Sequence, residues 1–279
     1  MPELRNYRMT VAYDGTEFAG YQIQEAGRTV QGTLESALAK VTRCQVRIAA
    51  AGRTDAGVHA LGQVVSFHSG WRHTPAELER AVNALLPPDV SVRSARVVED
   101  SFHARYSALS RKYLYRIYQG AERMPLLDRY AWRRSEPLRE ERLAIATEAL
   151  VGEADFGAFG KAPDGGSTVR HVLQATWSNR EDPLTGAPMW MFAIQANGFL
   201  RGMVRRIVGT LVQVGEGSAE PDIMGALLAQ PDPARTAAPA PAQGLFMVGA
   251  CYAESGAENV NVSSRRGGEH RVRSARDKE

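Results

Sequence analysis

The sequence predicts an α+β fold made of two βαββαβ halves, and three observations predict it. Short segments of alternating apolar and polar residues recur along the chain, as in Asn6–Tyr13 with Tyr7, Met9, Val11 and Tyr13 on one side. Between them lie stretches whose apolar residues fall three and four apart, as in Val30 to about Val41 with Leu34, Leu38 and Val41. The order strand, helix, strand, strand, helix, strand then runs through twice, as an element order rather than a residue-level repeat.

In the first half, Asp14-Gly15 ends the opening strand in a turn, and Thr29 caps the helix that begins at Val30. Gln45–Ala50 reads as a strand entering a glycine loop, and Gly62–His68 as the strand leaving it. Thr74-Pro75 opens the second helix, with proline at its first position and Leu78, Val82 and Leu85 turned inward. Val90–Val98 closes this half as a strand.

The second half repeats that order. Arg111–Tyr118 is a strand and Leu138–Leu150 a helix. Val169–Ser178 and Met189–Gln195 are strands separated by Asp-Pro and Thr-Gly turn residues. Phe199–Val214 is a helix, Pro221–Leu228 a short second one, and Leu245–Tyr252 the closing strand. Gln230–Gln243, dominated by Ala and Pro, is a loop. Each half is a ferredoxin-like split unit, so the expected architecture has two joined antiparallel sheets with an active-site cleft at the centre. The expected boundaries are 1–105 for the first half, 106–253 for the second, and 254–279 for a disordered Arg-rich tail without apolar periodicity.

A chain of 279 residues, 44% hydrophobic and 23% charged, has apolar material for one large core or two smaller ones. No stretch is long and apolar enough to span a membrane, and the N-terminus lacks the apolar run of a signal peptide, which points to the cytoplasm. Cys44 and Cys251 each lie in or beside an apolar segment, which predicts two buried free thiols in a reducing compartment. The net charge of +3 resides in Ser263–Glu279, where six basic residues face three acidic ones, so the chain up to Val262 is neutral overall.

The stretch Ala51–Ala60, AGRTDAGVHA, sets Arg53, Thr54 and Asp55 between two glycines and between two apolar runs. That is a shaped loop at a strand end, where catalytic groups are commonly mounted. Read alone, it is better taken as a polar turn in which Asp55 accepts backbone hydrogen bonds and Arg53 faces water. Asp55 and His59 stand four apart, but Gly57 disfavours a helix between them and no third ligand stands at metal spacing. Neither a phosphate-cradling glycine motif nor a nucleophile elbow is present. Two further clusters carry charge beside aromatics. Phe102-His103-Ala104-Arg105 precedes Arg111-Lys112-Tyr113-Leu114-Tyr115-Arg116, a strand on which Tyr113 and Tyr115 share a face suited to unstacked bases or to ordinary packing. In the 199–207 segment, Phe199, Met203 and Ile207 form a buried helical face, with Arg201 and Arg205 on a neighbouring stripe.

Taken in order, AGRTDAGVHA, GQVVSFH, FHAR, RKYLYRIY, GFLRGMVRRIVG and GLFMV resemble the motifs of TruA-type tRNA pseudouridine synthases, from about Tyr13 to Tyr252. The resemblance implies isomerisation of uridine to pseudouridine at tRNA positions 38, 39 and 40 in the anticodon arm, by a homodimer. Neither cofactor nor metal takes part. It makes Asp55 the catalytic carboxylate, acting at C1′ or C6 or on the C2′ proton, and Arg205 its ion-pair partner from the other half. Arg53 then holds the target nucleotide out of the helix, Tyr113 stacks on the flipped base, and Leu245 packs against the pocket. The chain departs from the family at Tyr21 and Ile23, where Trp and Arg are usual, and at Arg201-Gly202, where a His-His pair is usual. The alternative from another class is a noncatalytic RNA-binding protein using the same sheet surfaces. A metal-dependent hydrolase has the least support.

Overall fold

In the computed structural model, which describes residues 3–162 and 165–253, the first half begins with β1 (Arg5–Tyr13), its Tyr7, Met9, Val11 and Tyr13 buried as the alternation requires. Helix α1 (Val30–Thr42) follows, its first turn closed by Thr29 Oγ1 accepting from Gly32 N. Next come β2 (Ala49–Ala50), β3 (His59–Ser69), α2 (Pro75–Asn83) and β4 (Val90–Val98). The second half holds β5 (Ala108–Gln119), α3 (Pro125–Asp128), β6 (Trp132–Arg134), α4 (Glu140–Glu148), β7 (Gly152–Asp155), β8 (Val169–Glu181), β9 (Pro188–Ala196), α5 (Met203–Glu216), α6 (Ile223–Ala229) and β10 (Leu245–Tyr252). The expected tail, 254–279, lies outside the described residues.

The strands form one sheet in the order β4-β1-β3-β10-β5-β9-β8-β7, with β2 beside β3 and β6 beside β5. Within each half the neighbours are those of a ferredoxin-like unit. The halves meet where β10 pairs with β3, Phe246 opposite His59 and Met247 opposite Ala60. This seam is parallel, whereas β1–β3, β1–β4, β5–β9, β8–β9 and β10–β5 are antiparallel. β3 is therefore central and buried along nearly its whole length on both faces, as its apolar run demands. One buried cluster runs from Tyr7 on β1 to Met247 on β10, with Tyr115, Phe156, Phe159 and Phe192 fully enclosed. Each such ring contributes about 1.5–3 kcal/mol by leaving water.

Several expectations are corrected. The strand expected over Gln45–Ala50 shrinks to two residues, because Ile48 N gives its hydrogen bond to Glu35 Oε1 rather than to a neighbouring strand. Leu85 is 49% exposed, because α2 ends at Asn83 and the chain has left the helical face by then. Leu78 and Val82 are buried as expected, under a capping box made by Thr74 and Glu77. Helix α5 starts at Met203 rather than Phe199, since Gly202 takes a φ of 75° that a right-handed helix excludes. Arg201 consequently bridges to Lys161 and does not share a helical stripe with Arg205. Both cysteines are free but exposed, Cys44 lying just past the left-handed C-cap Arg43. The short elements α3, β6 and β7 have too few residues to show a period. Among the described residues, no helix is long and apolar enough to cross a membrane.

Candidate active site

The loop between β2 and β3 is held by its own carbonyls. Arg111 Nε donates to Ala51 O at 3.1 Å, Gln63 Nε2 to Gly52 O at 2.7 Å, and Tyr21 N to Thr54 O at 3.0 Å. Asp55 O accepts from Val58 N at 3.2 Å across a turn in which Gly57 adopts a φ of 76°. The Thr54 side chain is buried, with its hydroxyl 2.8 Å from Tyr13 Oη. Burial pushes the Tyr13 hydroxyl up to about 12, so it stays a neutral hydrogen-bonding group. The carbonyls of Ala51, Gly52, Thr54 and Asp55 and the Thr54 hydroxyl are thus tied inward, and the Arg53 and Asp55 side chains are left as the loop's outward chemistry.

Arg205, on the first turns of α5, brings Nη1 to 3.5 Å from Asp55 Oδ2. Its Nε donates to Ala240 O at 2.6 Å, and its own carbonyl accepts from Ala240 N at 2.9 Å. Tyr115 Oη donates to the next carbonyl, Pro241 O, at 2.7 Å. The guanidinium is therefore aimed by the loop entering β10, and the carboxylate by the loop entering β3. These are the two strands of the seam, which is why residues of opposite halves meet there.

Tyr113 is buried, its ring edge-on to Phe199 at 5.0 Å. Its hydroxyl closes on Gly52, where a β-carbon would stand 3.4 Å from it. Burial first, then the negative charge of Asp55 among smaller effects, raises its pKa well above the usual tyrosine value. Leu245 is buried on β10 opposite Tyr115, two residues from Met247, which lies opposite Tyr113. Arg53 is exposed and makes no side-chain hydrogen bond or ion pair among the described residues. Asp55, Arg205 and Tyr113 converge; Leu245 stands one strand step along the Tyr113 wall, and Arg53 reaches into water beside them. Of the two readings left open for the face shared by Tyr113 and Tyr115, packing holds for Tyr115, which has no exposure.

Three supporting residues were missed from sequence. Arg111 is buried enough to pull its pKa below the usual arginine value, and its partners are backbone carbonyls that no motif records. Gln63, wholly buried in an apolar strand, carried the readable signal that a polar residue there needs a partner. Asp14 accepts from Thr16 N at 3.0 Å, Thr16 Oγ1 at 2.6 Å, and from Arg129 Nε and Tyr130 Oη, both at 2.8 Å. It thereby fastens the second half's 129–130 segment over His59, which follows the Asp55 loop.

The sequence matches the tRNA pseudouridine synthase family over residues 9–107 and 146–253, which covers the Asp55 loop, Arg205 and the seam. It is 42% identical over 253 residues to a tRNA pseudouridine synthase A of Roseiflexus sp. (strain RS-1), spanning 91% of this chain and 93% of that one. It is 41% identical over 248 residues to the protein so named in Lacticaseibacillus casei (strain BL23), spanning 88% and 98%. A third relative so named, from Thermoanaerobacter sp. (strain X514), is 41% identical over 251 residues and is matched along 100% of its length. With the matched segments spanning both halves of the sheet and both sides of the Asp55–Arg205 contact, the chain belongs to the tRNA pseudouridine synthase family.

Proposed function

We propose that this protein isomerises uridine to pseudouridine at positions 38, 39 and 40 of the tRNA anticodon arm, with Asp55 as the catalytic carboxylate. The observation that carries this reading is the Asp55–Arg205 contact of 3.5 Å, on a loop fastened through the carbonyls of Ala51, Gly52, Thr54 and Asp55. In the reaction, the N1–C1′ bond breaks, the uracil turns over, and C5 bonds to C1′. The proton on C5 departs and N1 gains one, so atoms and electrons balance without oxidant or reductant. A carboxylate serves such a step as nucleophile or base, and a fixed guanidinium complements its charge while the base is detached. Tyr113 forms the wall on which the extruded base stacks, and Leu245 extends that wall with an apolar surface. Arg53, exposed and making no side-chain hydrogen bond or ion pair among the described residues, helps hold the extruded nucleotide out of the helix. Extrusion costs a few kcal/mol, least where the base is already near a loop. The enzyme works in the cytoplasm as a homodimer, one tRNA spanning both subunits.

The test is to incubate an unmodified tRNA transcript with the protein and map pseudouridine at single-nucleotide resolution. Pseudouridine confined to positions 38–40 is expected. Tight tRNA binding with no pseudouridine at any position would instead establish the noncatalytic RNA-binding reading. Sedimentation at micromolar concentration checks the dimer.

A further inference from the structure

The turn between β4 and β5 exposes an aromatic ring that the proposed chemistry does not use. Tyr106 is 78% exposed, and every other Phe, Tyr or Trp of the described residues is buried or half-buried. The turn beneath it is over-determined. Ser107 N donates to His103 O at 2.9 Å, and His103 N donates to Ser107 Oγ at 3.0 Å. His103 Nδ1 accepts from Arg105 N at 3.1 Å and from Tyr106 N at 3.3 Å. The imidazole then stacks on the Tyr106 ring, centroids 4.4 Å apart and planes 30° apart, and the Arg105 guanidinium lies 5.8 Å from the ring centre. One face of the ring rests on His103 while most of the ring stands in water.

This turn is wired to the catalytic loop through one guanidinium. Arg111 donates to Arg105 O, to Ala108 O at 3.1 Å, to Ala51 O at 3.1 Å and to Asn197 O at 2.8 Å. Arg111 thus gathers the Tyr106 turn, the strand end that opens the Asp55 loop, and the segment leading to Arg205. A rigid, solvated aromatic beside the Arg105 guanidinium, which makes no ion pair among the described residues, matches the chemistry of an unpaired nucleobase and its phosphate.

Resting on the tRNA reading above, we propose that Tyr106 is a stacking platform for an unpaired nucleobase of the RNA substrate outside the catalytic pocket, with Arg105 contacting the adjoining phosphate. The ring is preorganised, so stacking immobilises little more of the protein than is already fixed. Its contribution falls on binding rather than on the chemical step.

The experiment compares wild type with Tyr106→Ala, Tyr106→Phe and Tyr106→Leu on an anticodon-arm RNA. Wild-type turnover is established first, so failure of the tRNA reading is seen independently. Tyr106→Ala should raise KM about tenfold with kcat within about twofold. Tyr106→Phe should restore KM, and Tyr106→Leu, of similar size but without a π face, should not. In an Asp55→Asn background, Tyr106→Ala should weaken the Kd for the same RNA by the same factor. Unchanged KM and Kd in Tyr106→Ala would overturn the proposal, as would equal rescue by Leu. A change in sedimentation with unaltered RNA binding would mark the ring as a protein contact and overturn it too.

Discussion

Arg205 reaches Asp55 across the parallel seam of the sheet, Nη1 to Oδ2 at 3.5 Å, and Asp55 makes no side-chain hydrogen bond among the described residues. That separation exceeds the ordinary N–H···O range, so the contact is Coulombic rather than a tight bidentate pair. The carboxylate keeps its lone pairs for chemistry while its charge is complemented. Arg205 itself is held by the Ala240 backbone, which fixes the direction of its charge.

Replacing Arg205 by Met should therefore damage the chemical step more than substrate capture. A loss of about 10- to 100-fold in single-turnover rate is expected from removing a charge-assisted contact. Arg205→Lys should recover only part of it, because an ammonium has no planar fork to serve Ala240 and Asp55 together. Thermal melting of each variant separates this from loss of the Ala240 anchor.

Arg53→Ala should leave the melting temperature unchanged, since the side chain is exposed and makes no side-chain hydrogen bond or ion pair among the described residues. Its effect should depend on the substrate. Turnover should fall more for a uridine held in a stem than for the same uridine in an unpaired strand, because only the first must be extruded from a stack. Equal losses on both RNAs would argue against its role in extrusion.

Gly15 lies against the backbone of Val58, where an added β-carbon would meet the Val58 carbonyl oxygen at 2.0 Å. Neither partner is a flexible side chain, so Gly15→Ala must displace the end of the Asp55 loop. A destabilisation of about 1–3 kcal/mol is expected in denaturant unfolding, with a fall in kcat.

The acid limb of stability should carry the signature of Asp14. Burial pushes its carboxyl up, but hydrogen bonds from Thr16, Tyr130 and Arg129 outweigh it and hold the pKa at about 2. A carboxylate whose folded pKa lies below its unfolded value stabilises fully above about pH 4 and loses that contribution as pH falls toward 2. Asp14→Asn should be less stable at neutral pH and flatter between pH 4 and 2. His59 acts in a different window. Burial lowers its pKa despite the neighbouring Asp14, so stability should already decline as pH drops below its ordinary value of 6.5.

The fold was legible wherever a period had room to repeat. Nine residues of β1 and thirteen of α1 display their spacing plainly, and Thr29 and Thr74 mark the helix starts. β6, α3 and β7, with three, four and four residues, were not legible, because their conformation is set by neighbours rather than by pattern. Gly202 was misread for a related reason: glycine permits a helix in sequence, and only the backbone shows the left-handed turn that delays it. At the site, the motifs picked out Asp55, Arg205 and Tyr113, whose side chains carry the resemblance. The anchoring role of Arg111 escaped notice because it works on main-chain oxygens, and main-chain partners leave no residue type to read. The burial of Tyr115 was likewise beyond alternation alone, which assigns faces without saying which is covered.

The most direct test of the central claim is single-turnover pseudouridine formation by Asp55→Asn on an anticodon-arm transcript, alongside its Kd for the same RNA. The substitution keeps the size of the side chain and removes its charge. Pseudouridine should fall below detection while the Kd stays within about threefold of wild type, a change smaller than one lost hydrogen bond. Product at a rate near wild type, from a preparation free of wild-type enzyme, would contradict the assignment of Asp55.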